Sequence, residues 1–411
     1  MSDQQHPQEQ DSTKIPTKIP RGVWAISSVS LFMQLSNSMV YSLFPIYQRD
    51  VLKISMSMLG IIEGIAHVTM AFSRFLSGAF SDWLGKRKPL TIAGYGLTMF
   101  TRAAIPMVRT PFEVIGVRFF ERLGIGLRSA PRDALIADLT PRNIAGASYG
   151  LRHSLDRFGA LIGPLLAIAM MLLLSNNYRV IFWIAVIPAI VSVIVLLIFV
   201  KDAPVSPARR AQTRVRWKIS DLSQFGAPLW WFIIVNVFMH LCYFSEAFLV
   251  IRASEAGLSA AYIPLVLVAQ NAVIASTAYP VGKLSDSIGR TSIVAVGFFL
   301  MVITHLILSV ATTVWLALLG AALWGLVRTA RSVTNAIVSD LAPGNLRGSA
   351  FGVMQMTQGM SGLTANVMAG YLWQNFGPEL TYRIAAGVTA VSFVLFLFWV
   401  RAYGHVLKNK N

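Results

Sequence analysis

One stretch of the sequence occurs twice, and the two copies lie about half of the 411-residue chain apart. The copies are Gly78-Ala79-Phe80-Ser81-Asp82-Trp83-Leu84-Gly85-Lys86-Arg87-Lys88 and Gly282-Lys283-Leu284-Ser285-Asp286-Ser287-Ile288-Gly289-Arg290. In each, an aspartate follows the first glycine by four residues, and a second glycine and a basic residue come after it. Each copy stands where a long apolar stretch ends, so both are predicted to form loops between helices.

A second loop pattern repeats at nearly the same distance. The residues Asp138, Pro141, Asn143, Gly146 and Gly150 recur in order as Asp340, Pro343, Asn345, Gly348 and Gly352. Two patterns repeated at half the chain length indicate a duplicated protein made of two similar halves. If the remainder spans a membrane, this organisation is typical of transporters built from parallel repeats.

The composition predicts an all-α membrane protein. The chain is 55% hydrophobic and 13% charged, with a mean hydropathy of +0.61, whereas soluble domains average about a quarter charged residues. Apolar runs long enough to cross a bilayer recur throughout. The predicted spans are 23–47, 56–82, 89–107, 112–135, 149–174, 179–200, 228–250, 260–281, 291–310, 314–338, 350–372 and 382–400. Runs such as 180–187 have no polar face, which excludes a large soluble helical protein.

These twelve transmembrane helices divide the chain into two six-helix pseudo-symmetric bundles. We predict a disordered cytoplasmic tail at 1–22, bundles at 23–200 and 228–400, a cytoplasmic linker at 201–227 and a second tail at 401–411. Most of the 35 Lys and Arg residues are assigned to the tails and to the loops on their side, which predicts that both termini are cytoplasmic. This count places Arg128, Arg132, Arg328 and Arg331 among the loop residues. The net charge of +17 is then a consequence of topology and does not indicate nucleic-acid binding. The single cysteine, Cys242, excludes an intrachain disulfide.

The repeated glycine–aspartate loops resemble the signature loop of the major facilitator superfamily. The resemblance rests on Gly78, Asp82, Gly85 and Lys86, repeated as Gly282, Asp286, Gly289 and Arg290, and it extends over about 23–400. It implies a secondary transporter that works by alternating access, in which charged loop residues latch one side. The remaining residues of this predicted gate are Arg87, Asp138, Asp156 and Asp340. The alternative is that the loops only determine topology.

Helix 5 adds a second, partial similarity. Its Gly159–Ala167 stretch, with Gly163 before Pro164, is similar to the motif of the superfamily's drug/proton antiporters. The terminal glycine pair of that motif is replaced by Ala167 and Ile168. The resemblance implies export; the alternative is a kinked packing helix without bearing on transport direction.

Ionisable residues inside predicted spans are costly, so each is a functional candidate. Glu63, His67 and Arg74 share one stripe of helix 2, and Glu121 and Arg122 lie together on helix 4. We predict Glu63, His67, Glu121 and Arg122 as proton-coupling residues, with Glu121 ranked slightly above Glu63 for its depth. The alternatives are a structural hydrogen bond between Glu63 and His67 and a neutralising role for Glu121.

The predicted second half has fewer charges and more polar and aromatic residues, which favours a coupling half facing a substrate half. The predicted substrate-cavity residues from both halves are Gln34, Asn37, Arg74, Arg102, Arg118, Asn236, His240, Tyr243, Glu246, Gln270 and Gln355. Isolated Asn and Gln on such helices also serve as interhelical hydrogen-bonding groups. That alternative stays open for the amides in this set.

Together these observations predict a multi-pass inner-membrane transporter that exports a small organic compound, such as a drug, metabolite or siderophore, in exchange for protons. The alternatives are proton symport of a small organic anion into the cell and a transporter-like sensor. The sequence has no Walker A motif and no catalytic constellation, so we expect no enzymatic activity. We expect no cofactor, no bound metal and no nucleic-acid partner, with the proton gradient as energy source and a functional monomer in the lipid bilayer.

The loop motif carries a testable prediction. Because Asp82 ends helix 2 within a basic loop, we expect Asp82→Asn to leave membrane insertion intact and to slow transport in proteoliposomes. Asp286→Asn is expected to do less harm, because the second half has Asn335 and Gly344 where the first has Asp133 and Arg142. Wild-type turnover in a well-folded Asp82→Asn protein would contradict the latch.

Overall fold

A computed structural model of the protein describes residues 18–84, 87–201 and 219–408. Within those ranges the chain is helical and contains no β-strand. The rest of the predicted tails and linker (1–17, 202–218 and 409–411) lies outside the described residues. Gly85 and Lys86 of the first repeated loop also lie outside the described residues, as do the burial of Gly78 and the side chain of Asp82.

The first half consists of six long helices. They are α1 (Arg21–Tyr41), α2 (Met56–Leu84), α3 (Lys88–Ala104), α4 (Pro111–Leu139), α5 (Ala145–Leu173) and α6 (Tyr178–Phe199). Between α1 and α2 the chain makes one α-helical turn, Phe44–Ile46, and a π-helical turn, Tyr47–Val51. Helix α4 begins at an N-cap, since the side chain of Thr110 accepts a hydrogen bond from the backbone N–H of Glu113.

The second half is more interrupted. Its helices are α7 (Ala227–His240), α8 (Glu246–Glu255), α9 (Leu265–Ile288), α10 (Arg290–Ser309), α11 (Val314–Ser332), α12 (Thr334–Leu341) and α13 (Arg347–Lys408). Helix α13 covers the last two predicted spans, and a break at Gly377 divides them. Gly377 has φ 83°, a conformation that glycine adopts without steric cost, and Pro378 follows it.

Within the described residues, seven helical segments are long and apolar enough to cross a membrane. They are Met56–Ser77, Ala145–Leu173, Tyr178–Phe199, Ala260–Ile288, Arg290–Ser309, Val314–Leu341 and Arg347–Gly404. The last has 58 residues, more than the length of two crossings of about 20 residues each. The other predicted spans are largely helical, but their helices are shorter or less apolar; α4, for example, buries Arg118, Glu121, Arg128 and Arg132. The count of twelve crossings therefore stays a prediction.

The seventh predicted span, 228–250, is not one continuous helix. Helix α7 ends at His240, and α8 begins after Ser245, whose hydroxyl accepts from the N–H of Ala247 at 3.2 Å. The backbone N–H of Ser245 donates to Asn366 Oδ1 at 2.8 Å. Backbone groups freed by the break are thus paired with side chains, which is what permits a broken helix at membrane depth.

Four basic residues expected in loops lie in helices. Arg128 and Arg132 are on α4, and Arg328 and Arg331 are on α11. Counting them as loop residues was wrong, because all four lie inside the predicted spans 112–135 and 314–338, which are helical at these positions. The second half is consequently richer in helix charge than its sequence predicted, and fewer basic residues remain to support the orientation of the termini.

Small residues let α5 pack closely against α1. A Cβ added at Gly159 would lie 2.7 Å from the carbonyl oxygen of Leu31, and one at Gly163 would lie 2.8 Å from that of Leu35. The predicted small-residue face of helix 5 is therefore used for helix packing. This contact accounts for both glycines of the motif by packing alone.

Candidate functional site: buried charges and a basic cavity between the halves

An ion-pair network occupies the interior of the first half. Arg118 of α4 pairs through Nη2 with Glu63 Oε1 at 2.5 Å and through Nη1 with Glu121 Oε2 at 2.9 Å. The three side chains come from α2 and α4 and are at most 3% exposed. Charges so deeply buried must be paired, because an unpaired one carries a large desolvation penalty.

Arg102 of α3 completes this network from the side of α1. Its Nη2 lies 2.5 Å from Glu121 Oε1 and donates to Asn37 Oδ1 at 2.5 Å. The carboxylate of Glu121 therefore binds two arginines, Arg102 and Arg118. Helix α3 contains no acidic residue, so the partner of Arg102 comes from another helix, as Glu121 of α4.

The network carries one more positive charge than its carboxylates balance. Arg122 lies over the ring of Tyr41, with 5.2 Å between its Cζ and the ring centroid, as Arg102 and Arg118 also do at 5.2 and 4.9 Å. Its Nη1 donates to the Met70 sulfur at 3.8 Å, and among the described residues it has no carboxylate within 4 Å. Tyr41 was not predicted as a site residue, although its position four residues after Asn37 on α1 marks the same helix face.

Glu63 also links the two halves of the protein. Its second oxygen, Oε2, accepts a hydrogen bond from the Ser245 hydroxyl at 2.8 Å. Ser245 caps α8 in the second half, so the helix break and the ion-pair network meet at this one contact. The predicted pairing of Glu63 with His67 takes a different form, since His67 Nδ1 contacts the backbone oxygen of Glu63 at 2.9 Å and not its carboxylate.

A separate ion pair lies in the second half. Arg328 of α11 pairs with Glu246 of α8, and Gln270 Nε2 donates to Glu246 Oε1 at 3.2 Å. Arg328 was missed because it had been counted with the loop charges, although it lies within a predicted span. Its signal in the sequence was its position three residues before Arg331 inside the predicted span 314–338.

Between the halves lies a cavity of about 200 Å³ with a basic lining. His67 and Arg74 of α2 face it from the first half, and His240 and Arg331 face it from the second. The other lining residues are Met70, Ala71, Tyr243, Gln355, Gln358, Gly359 and Gly362. The described lining contains no carboxylate.

Arg331 is held in a defined orientation at the cavity wall. Its Nη2 lies 2.5 Å from His240 Nε2, and its Cζ lies 3.7 Å from the centroid of the Tyr243 ring. The other nitrogen of His240, Nδ1, contacts the backbone oxygen of Asn236 at 2.7 Å. This arrangement assigns a neutral imidazole whose Nδ1–H donates to the carbonyl and whose Nε2 accepts from the guanidinium.

The predicted cavity residues therefore separate into three groups. Arg74, His240, Tyr243 and Gln355 line the cavity. The residues that belong to buried ion pairs or bind them are Asn37, Arg102, Arg118, Glu246 and Gln270. Gln34 donates to Ser38 Oγ at 3.1 Å, and Asn236 donates to the oxygen of Phe232 at 3.0 Å, so both bond within their own helices.

The two halves contact each other away from the repeated loops. Arg49 Nη2 donates to Ser254 Oγ and the backbone N–H of Met56 donates to Gln374 Oε1, both at 2.9 Å. We call the end of the bundle with these contacts the closed end and the end with the repeated loops the basic end. Among the described residues, no hydrogen bond or ion pair joins the halves at the basic end. The cavity lies on the basic side of the contacts, and Tyr279 of α9, near that end, is 78% exposed.

Glycine makes the tightest approach at the closed end possible. A Cβ at Gly60 would lie 3.0 Å from the Cα of Gly370 and nearer still to the carbonyl oxygen of Asn366. We expect Gly60→Val to force the halves apart here and to reduce transport at least tenfold. Spin labels at the exposed positions 51 and 259, which leave Arg49 and Ser254 in place, are expected to show a longer inter-label distance in a Cys242→Ala background. Gly116→Val is the control, because nothing lies within 4 Å of a Cβ at Gly116; the same distances in both variants would contradict this role.

At the basic end, each half contains an equivalent ion pair between the two repeated loops. Arg87 Nε pairs with Asp138 Oδ2 at 2.7 Å, and Arg290 pairs with Asp340. The first pair is the more buried, with side chains 12% and 6% exposed against 29% and 26%. The predicted gate residues thus meet, with Asp138 and Asp340 as the described acidic partners.

Two other predicted gate residues are placed differently. Asp286 is exposed near the end of α9, and Asp156 lies on α5. Within the described part of the chain, neither carboxylate is within 4 Å of a basic group. A latch role for Asp82 and for these two residues stays a prediction.

The chain belongs to the Major Facilitator Superfamily. The family model matches residues 26–268 and 247–411, which cover the repeated loops and both halves described above. Membership establishes a multi-pass membrane protein of a transporter family.

The chain is similar to proteins of several organisms. It is 28% identical over 388 residues to an uncharacterized MFS-type transporter of Methanocaldococcus jannaschii, covering 93% of this chain and 95% of that one. It is 27% identical over 130 residues to the class B tetracycline resistance protein of Escherichia coli, covering 32% of each chain. A crystal structure of the nucleoside transporter NupG matches with a TM-score of 0.75 at 13% identity, over 92% of this chain and 98% of that one, a likeness of fold alone.

Proposed function

We propose that this protein is a proton-coupled secondary transporter that exports a small organic compound across the cytoplasmic membrane by alternating access. In this proposal the chain crosses the membrane twelve times, with both termini and the basic end in the cytoplasm. The cavity between the halves, with contacts at the closed end, then corresponds to an inward-facing state. The proposed transporter needs no cofactor and catalyses no chemical reaction. Its partners are the solute and the bilayer.

The observation that carries the coupling proposal is the bond between Glu63 and Ser245. Alternating access moves the two halves against each other, so this contact between halves is made in one state and broken in another. A carboxylate whose partners change during the cycle can exchange a proton once per cycle. Protonation of Glu63 would also make it a weaker acceptor for the Ser245 hydroxyl, which loosens this contact between the halves.

Glu63 is therefore a better carrier than Glu121, which had ranked above it. Glu121 is fully buried, binds Arg102 and Arg118, and has no described partner in the second half. Two guanidinium groups hold a carboxylate ionised, so we assign Glu121 the structural role of neutralising them.

Export is supported by the partial similarity to a tetracycline resistance protein. Uptake of a small organic anion is the second candidate, because the described lining of the cavity has two arginines and no acid. The sign of coupled proton movement distinguishes the two functions.

The test is proton flux in proteoliposomes with a pH-sensitive dye inside. Each compound of a panel of drugs, organic acids and siderophores is added on one side of the membrane, which imposes a solute gradient. Protein-free vesicles are the control. Protons moving against the solute indicate antiport, and protons moving with it indicate symport. Absence of flux with every compound would contradict the proposal and favour a sensor.

A further inference from the structure

We propose that the cavity binds a compact organic anion, carboxylate or phosphonate, between Arg74 of the first half and Arg331 of the second. The inference rests on the proposed function of a transporter and adds the chemical class of its solute. Both arginines line the same cavity from opposite halves. An anion bound to both would join the two halves directly.

The first argument is the charge balance around these arginines. Arg102, Arg118 and Arg328 each have a carboxylate within ion-pair distance. Within the described ranges, neither Arg74 nor Arg331 has one within 4 Å. Arg74 Nε is also buried without a hydrogen-bond partner. Unbalanced cations inside a membrane protein are costly and mark a ligand or ion path.

The second argument is the preorganisation of Arg331. Its guanidinium stacks on Tyr243 and donates to the neutral acceptor His240 Nε2, so its charge is not neutralised by either contact. The remaining N–H groups of a guanidinium form a planar fork that matches a carboxylate or phosphonate. A side chain fixed in this way loses little freedom when an anion binds.

The third argument concerns size and polarity. The cavity of about 200 Å³ is below the ~300–1,000 Å³ typical of sites for drug-sized ligands, which favours a compact solute. Gln355 and Gln358 add amide groups to the lining, which can bond to an uncharged part of the solute. An organic cation would meet two arginines and no described carboxylate, so the lining selects against it.

Binding to the purified, detergent-solubilised protein tests the inference without requiring transport. Benzoate, succinate and methylphosphonate are titrated by calorimetry, with benzamide and succinamide as uncharged counterparts of the two carboxylates. We expect at least one of the three acids to bind. For benzoate and succinate this means tighter binding than that of the matching amide, and for methylphosphonate it means measurable binding. Arg331→Gln and Arg74→Gln are each expected to raise the dissociation constant of that acid at least tenfold, whereas Arg331→Lys retains part of the affinity.

Arg383→Gln is the matched control, because Arg383 is 57% exposed and pairs with Glu379 outside the cavity. It should bind as the wild type does, and melting curves identify any variant that is not folded. Equal binding of acids and amides, no binding of any acid, or unchanged binding in both folded Gln variants would overturn the inference. Anion binding without solute-coupled flux would instead refute only the proposed transport.

Discussion

Glu63→Gln is expected to abolish proton-driven accumulation of solute while leaving solute exchange across the membrane intact. The glutamine keeps the size of the side chain and can still bond to Ser245, but it cannot lose or gain a proton. The transport cycle then runs without coupling. We expect accumulation against a gradient to fall at least tenfold, measured in proteoliposomes with an imposed pH gradient, and counterflow of labelled solute to remain near the wild-type rate.

Two companion variants make this result specific. Ser245→Ala removes the partner in the second half and keeps the carboxylate, so we expect coupling to persist with altered turnover. Glu379→Gln is the control for loss of an acid, because Glu379 is 57% exposed and lies far along the chain from the network. If Glu63→Gln still concentrates solute as the wild type does, the proton is carried elsewhere, with Glu121, Glu246 and Asp156 the next residues to test.

Glu121→Gln is expected to produce the largest loss of stability of any single acid in the protein. It leaves Arg102 without a described carboxylate and removes one of the two that bind Arg118. Breaking one side of a buried ion pair costs about 3–5 kcal/mol, because the remaining charge stays buried without a partner. Thermal unfolding in detergent, followed by tryptophan fluorescence, should show a markedly lower melting temperature than for the wild type.

Comparison of the melting temperatures of Glu121→Gln and Glu63→Gln tests this structural role. Loss of the Glu63 charge leaves Arg118 paired with Glu121, so we expect a smaller fall in melting temperature. The double variant Arg102→Leu/Glu121→Leu removes the charges of both partners and should recover part of the stability, as replacement of buried pairs by apolar residues often does. Equal melting temperatures for Glu63→Gln and Glu121→Gln would contradict the structural role assigned to Glu121.

The sequence identified most of the charged residues of the first-half site but not their arrangement. Glu63, Arg102, Arg118 and Glu121 were recognised because ionisable residues are rare within apolar spans. Their partners lie on different helices, and sequence spacing shows only which residues share a face of one helix. The link from Glu63 to Ser245 has no sequence signal, since it depends on a helix break that contains neither glycine nor proline.

The sequence by itself determined the duplication, the all-helical membrane architecture and the superfamily. Repeated loop motifs and apolar runs are local patterns, formed by residues that are close together along the chain. Only the tertiary structure decided that Arg331 and Arg74 line one cavity while Asn37 and Arg102 bind within a closed network. Whether a polar side chain meets solvent or a partner depends on how helices from distant parts of the chain pack, and that packing is set by contacts between residues far apart in sequence.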